Sequence, residues 1–210
     1  MQSKSILVFG AHPDDLEIGM GGTIAKLTSM GYEVQPVIAT LPNYVKSDTK
    51  EGRKSESMLS AKVMGCKSPI FLDLSPEEMV FGRKLVTLID SLITNNKPDS
   101  IFTQWHGDSH QDHQILTKSV ISACRDQNNI LMYETTIPGG ITENSFRPQL
   151  FVNITETIEI KKNALECFQS QFVRCGDIWI PAILGRCSYR GYQINSKYAE
   201  AFEVIKVIKW

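Results

Sequence analysis

The sequence predicts a single α/β domain, with a mostly parallel sheet covered by helices on both faces. Three observations carry this prediction. Short β-branched runs alternate with longer segments of helical period through the first two thirds of the chain, the pattern of parallel strands joined by crossover helices. The 210 residues suit one domain with a substantial core. No internal repeat, low-complexity tract or linker divides them.

The elements follow in order. Residues 6–9 read as a buried strand and 18–30 as a helix ended by Gly31. The second strand is 34–39. A polar stretch over 41–48 leads to a helix that runs to about Met64, with Gly65 as its stop. Residues 70–72 form a third strand. Ser75-Pro76-Glu77-Glu78 has the composition of a helix start, but Gly82 interrupts it, and 85–93 is the helix that the periodicity supports. A fourth strand at 101–103, a helix over about 111–124 and a fifth strand at 130–133 complete an α/β core of about 1–135. Beyond Pro138 a strand is expected at 149–152 and a helix over about 157–168. A loop-rich segment follows at 170–193, carrying Trp179, Pro181, Arg186 and Tyr189. Residues 198–208 fit strand or helix equally on period. Right-handed crossovers put the C-terminal ends of the parallel strands on one edge, where open sheets bind ligands.

Composition narrows the function. Lys plus Arg number 22 against 23 for Asp plus Glu, which gives no reason to expect nucleic acid or an anionic membrane as partner. Cys66, Cys124, Cys167, Cys175 and Cys187 are odd in number, and no two are spaced as C-x-x-C. A disulfide framework and a cysteine zinc site are therefore not expected, and a cytoplasmic location is. The first apolar run is broken at once by His12-Pro13-Asp14-Asp15, too early for a signal-peptide core. No apolar stretch approaches the ~20 residues of a membrane span.

Two clusters carry chemistry. Gly10-Ala11-His12-Pro13-Asp14-Asp15-Leu16-Glu17 follows the first strand. Acids at a helix start serve as caps, but a histidine where the backbone leaves the sheet edge suits a ligand. Adjacent acids in a tight turn point different ways, so one can ligate a metal while the other holds a water. Trp105-His106-Gly107-Asp108-Ser109-His110-Gln111-Asp112-His113 follows the fourth strand and holds three of the chain's four histidines. With a helix beginning near His110, His110 and His113 share a face. The two clusters converge on one crevice, and imidazole plus carboxylate suits zinc with an open position for water. Such a site lowers the pKa of water from about 16 to about 7, and a carboxylate that is not a ligand takes the proton. A histidine held against a carboxylate suits protonation of a leaving amine; Asp112 lies where it could hold His110. The glycines of Gly19-Met20-Gly21-Gly22 come too late for a dinucleotide fingerprint, whose place is filled by His-Pro-Asp-Asp.

Ala11-His12-Pro13-Asp14-Asp15-x-Glu17, with His110-x-Asp112-His113 about a hundred residues later, resembles the PIG-L/LmbE-like deacetylase family. Softer similarities span most of the chain: Arg53 with Glu56, Ala61 and Gly65; Ala164, Ser170 and Gln171 of a K-x-x-A…S-Q pattern; and Tyr198-Ala199-Glu200-Ala201-Phe202. The resemblance implies a Rossmann-like sheet and a Zn2+-dependent hydrolase that removes an N-acetyl group from a glucosamine-type sugar or conjugate. It implies His12, Asp15 and His113 as metal ligands, Asp14 as general base, His110 as the group that stabilises the oxyanion and protonates the amine, and Asp112 as its orienting partner. Arg53 matches a substrate-binding arginine, and residues 136–210 are expected to complete the substrate pocket. A His/His/Asp site also accepts Fe2+; other small amides or esters, or a non-catalytic metal protein, are the alternatives. The resemblance permits a homo-oligomer. Phe168 departs from the pattern, since relatives often carry histidine there. His106, Asp108, Trp179, Arg186 and Tyr189 suit either the pocket or ordinary loop packing.

Overall fold

The computed structural model describes residues 4–41, 49–75, 77–135, 137–142 and 144–208. Most of the expected polar stretch 41–48, and Pro76, lie outside the described residues. Seven strands form one sheet: β1 (Ser5–Gly10), β2 (Glu33–Thr40), β3 (Ile70–Leu74), β4 (Ser100–Gln104), β5 (Asn129–Tyr133), β6 (Leu150–Asn153) and β7 (Ala199–Val207), in the order β3-β2-β1-β4-β5-β7-β6. The first five are parallel, while β7 runs antiparallel to both β5 and β6. The closing segment, which period left open, is therefore a strand.

Alternation along β1 explains the layering. Leu7 and Phe9 pack with Leu85, Ile89 and Ile93 of α3 (Arg83–Asn96) and with Leu116 and Val120 of α4 (Gln111–Ala123). Ile6 and Val8 face the other way. They meet Leu16, Met20 and Ile24 of α1 (Asp15–Ser29), Met64 of α2 (Lys50–Met64) and Ala164 of α5 (Ile158–Glu166). Gly65 ends α2 in a left-handed conformation, φ 73°, as the sequence suggests. The glycines of α1 let it lie close: a Cβ on Gly19 would strike the Tyr133 ring, and one on Gly22 would come within 2.7 Å of Ile154. That packing accounts for the glycine run without any nucleotide.

One expectation is corrected. Residues 170–193 are not loop-rich but helical: α6 (Gln169–Cys175), a 3-10 turn (Gly176–Ile178) and α7 (Trp179–Gln193). Pro181 misleads because it sits in the first turn of α7, where its missing N–H has no intrahelical partner anyway. Trp179, Ile180, Ile183, Cys187 and Gly191 form the buried stripe. Ser75 and Glu78 form a turn, with Ser75 N–H donating to Glu78 Oε2 at 3.1 Å, but the next helix starts only at Arg83.

The chain leaves β1 toward β2 on one side and β4 toward β5 on the other. Neighbouring strands whose connections diverge open a crevice at their C-terminal ends. Both His/Asp clusters follow those two strands.

Candidate metal centre

The first wall is the β1–α1 turn. Asp14 adopts a left-handed backbone, φ 97° and ψ −24°, and its carbonyl accepts from Ile18 N at 2.9 Å, so α1 starts three residues earlier than its periodicity suggests. Asp15 is pinned. Its Oδ2 accepts from the His12 backbone N–H at 2.8 Å and from Gln104 Nε2 at 2.9 Å. Asp14 is left beside it, directed elsewhere.

The second wall is the β4–α4 loop. His110 caps α4, its Nδ1 accepting from Asp112 N at 3.1 Å. That bond leaves the proton of a neutral His110 ring on Nε2. Asp112 Oδ2 lies 3.0 Å from His12 Nε2, so this carboxylate holds His12, while the Asp112 backbone N–H holds His110. His113 is 1% exposed and its Nδ1 lies 3.2 Å from Asp108 Oδ2. Asp108 is itself fixed, accepting from His110 N (2.8 Å) and Thr135 Oγ1 (2.8 Å). The rings of His110 and His113 stack, with centroids 4.8 Å apart.

The donor set fits a divalent cation. His12 Nδ1 is 3.2 Å from His113 Nε2, which is 3.2 Å from Asp15 Oδ1; Asp15 Oδ2 is 3.6 Å from His12 Nδ1. A tetrahedral zinc site with bonds of ~2.0–2.1 Å has ligand–ligand edges of about 3.3 Å. Two ring nitrogens at 3.2 Å require a proton or a cation between them. His12, His110 and His113 together place ring nitrogens within 4.8 Å of one another, so His110 stands in the same cluster, with its Nδ1 already engaged. Asp112 on His12 and Asp108 on His113 are the carboxylates that orient ligating imidazoles and raise their basicity.

Electrostatics agree. Burial opposes it, but Asp15 and Asp108 push His113 up to about 10; the field that retains a proton there also favours a metal. Asp15 goes down despite its burial, because His113 and His12 stabilise its charge. Burial raises Asp14 well above the ordinary carboxylate value, with Arg53 opposing. Burial, then His12 and His113, lower His110.

Arg53 supports the turn from behind. It is 2% exposed, donates to Pro13 O (2.7 Å) and Ser170 Oγ (2.6 Å), and stands 4.0 Å from Asp14 Oδ1. Ser170 is in turn held by Glu56. The Gln171 amide satisfies both its neighbours with its nitrogen toward Asp14 Oδ2 (3.2 Å) and its oxygen toward Arg53 Nη1 (2.5 Å). Phe168 is fully buried beneath, 5.9 Å from the guanidinium, and is absent from the lining of the cleft.

Deeper still, α1 is interrupted at Met20 (φ −147°, ψ 23°), and a buried ion pair grips the break. Lys161 Nζ donates to Ile18 O (2.9 Å) and to Glu200 Oε1 (2.5 Å). Glu200 accepts from Gly22 N (3.0 Å) and Thr23 N (2.6 Å). Arg186 also donates to Ile18 O at 2.8 Å. Lys161 opens the K-x-x-A pattern and Glu200 sits in the closing motif, but nothing in their spacing shows that they meet.

The cleft measures about 40 Å3 and is lined by His12, Asp14, Asp15, Arg53, His110 and His113. Ile137, Pro138, Gln171, Arg174, Cys175 and Trp179 line it as well. All the metal-site residues named from the sequence therefore meet here, Asp112 just behind His12. Of the residues left open, Asp108 and Trp179 belong to the site, Arg186 braces α1, His106 is exposed, and Tyr189 is 60% exposed. Gln104 went unread, and Asp108 was left open. A glutamine at the C-terminal end of a fully buried strand is the signal that could have found Gln104; loop polarity explained Asp108 equally well.

Comparison with known proteins agrees with this geometry. Residues 7–124 match the family described as PIG-L: GlcNAc-PI de-N-acetylase. The chain is similar to the uncharacterized deacetylase YaiS of Escherichia coli K12, 32% identical over 159 residues, covering 73% of this chain and 83% of YaiS. It is also similar to the diacetylchitobiose deacetylase of Thermococcus kodakarensis, 26% identical and covering 96% of this chain and 83% of that protein. The solved N,N'-diacetylchitobiose deacetylase from Pyrococcus horikoshii superposes with a TM-score of 0.83 at 25% identity, covering 97% and 84% of the two chains. With the motif, the sheet and the converging donors in agreement, the chain belongs to the PIG-L: GlcNAc-PI de-N-acetylase family, a catalytic family of amide hydrolases.

Proposed function

We propose that this chain is a zinc-dependent hydrolase that removes an N-acetyl group from a glucosamine-type sugar or sugar conjugate. The observation that carries the reading is the convergence of His12 Nδ1, the Asp15 carboxylate and His113 Nε2 at metal-ligand separations, with a second acid, Asp14, alongside. The named activities of the relatives on acetylated sugars supply the substrate class.

His12, Asp15 and His113 hold the metal. When bound, it supplies Lewis acidity, making a water acidic near neutral pH and polarising the amide carbonyl. Asp14, not a ligand, accepts the proton of the attacking water; Arg53 and Gln171 fix its orientation. His110 presents Nε2–H to the oxygen that gains charge and passes a proton to the departing amine. Asp112 serves both walls, its carboxylate on His12 and its N–H on His110. Arg53 lines the cleft, where its edge meets the substrate. Residues 136–210 complete the substrate pocket through Ile137, Pro138, Gln171 and Trp179. No helix among the described residues is long and apolar enough to cross a membrane, and the five free cysteines support a reducing, cytoplasmic setting.

The test measures bound metal and acetate release from N-acetylglucosamine derivatives, side by side, in wild type and His113→Ala. One zinc per chain, with metal and activity both lost in the variant, is expected. Bound iron with activity would reassign the metal. Hydrolysis of simple acyl amino acids but of no sugar would redirect the substrate. Metal binding without turnover would sink the enzymatic reading.

A further inference from the structure

We propose that the apolar pocket beside the catalytic cleft is a subsite for an alkyl or aryl group carried by the sugar substrate. This rests on the reading of the chain as an N-acetylglucosaminide deacetylase. The cleft over the metal ligands, at about 40 Å3, has room for roughly three waters, about the size of an acetamido group. The rest of any substrate must extend out of it. Beside it lies a second pocket of about 370 Å3, and Ile137, Pro138 and Trp179 line both. The two spaces are therefore neighbours across a shared wall.

The chemistry of the second pocket selects its occupant. Ile137, Pro138, Ile178, Trp179, Ala182 and Ile183 supply most of its surface, and no acid among the described residues lines it. Arg186 lines it too, with one arm donating to Ile18 O. Sugar hydroxyls bring hydrogen-bonding needs that isoleucine, proline and alanine cannot meet, whereas an alkyl or aryl group gains from leaving water there. Ile178 is 72% exposed. It lines the concave pocket next to the cleft while most of its surface stays open to solvent.

The experiment compares kcat/KM of the zinc-loaded protein for three N-acetylglucosaminides differing only beyond the anomeric oxygen: methyl, octyl, and an alkyl chain of similar length ending in a carboxylate. The octyl glycoside is expected to exceed the methyl one by about tenfold or more, chiefly through KM. Ile178→Ser should shrink that ratio toward one; the residue is exposed, so the fold tolerates the change. Equal rates in wild type, or an unchanged ratio in Ile178→Ser, would overturn the subsite while leaving the deacetylase reading intact. A preference for the carboxylate-ended chain would replace it with an anion subsite centred on Arg186. Dimers that Ile178→Ser dissociates, with the ratio unmoved, would assign the surface to a second copy. No hydrolysis in any arm would remove the underlying reaction, and the subsite with it.

Discussion

Two buried clusters of charge sit on the two ends of α1's first half. Beneath it, Lys161 and Glu200 meet each other and bond the Ile18 carbonyl and the Gly22 and Thr23 N–H groups, so opposite charges are matched inside the cluster. At its N-terminus, His12, Asp15 and His113 turn their lone pairs toward one point, with two ring nitrogens 3.2 Å apart. The first cluster is complete as it stands; the second is complete only with a proton or a metal. Burial alone does not separate structural charge from functional charge. The internal balance does.

The comparison can be broken most sharply at Asp14. Asp14→Asn removes the proposed base and no ligand, so kcat should fall about 10²–10⁴-fold while metal analysis still finds one ion per chain; loss of the ion would make Asp14 a ligand. In the lower cluster, Lys161→Met should destabilise the protein by about 3–5 kcal/mol, because it leaves Glu200 buried and unpaired. Urea unfolding measures this, and a change under 1 kcal/mol would show that the pair is not holding the α1 break. Asp108→Asn should weaken metal binding about 10–100-fold without abolishing it, as read by chelator competition; unchanged affinity would reduce Asp108 to a loop contact. The smallest effect is in pH. His113 lies at about 10 without metal, above its ordinary 6.5, so its proton stabilises the metal-free fold below pH 6.5 and that gain is lost as pH rises through 10. Metal must displace the same proton. Affinity should therefore rise with pH, with about one proton released per ion near neutrality, which calorimetry in buffers of different ionisation enthalpy can count; zero release would contradict the assignment.

The sheet was legible because the central parallel strands β1, β4 and β5 carry short apolar runs buried on both faces; β2 and β3, toward the edge, are more mixed. The site was legible because both clusters follow strands that end at one edge. The C-terminal helices were less so. Pro181, Gly185 and Gly191 look like loop residues, yet Pro181 is tolerated in a first turn, and Gly191 lies where a Cβ would come within 2.7 Å of Tyr198 N. Contacts between distant segments were hidden altogether. Lys161 and Glu200 are 39 residues apart, and the Asp112 carboxylate reaches across 100 residues to His12.

Asp14 carries a backbone torsion, φ 97°, that glycine would adopt with less strain. Side chains held this way cost about 1–3 kcal/mol. A population of variants selected only for heat resistance would drift toward glycine at position 14, and one selected for turnover would keep the acid. Whether aspartate persists there thus reports which pressure the lineage has felt.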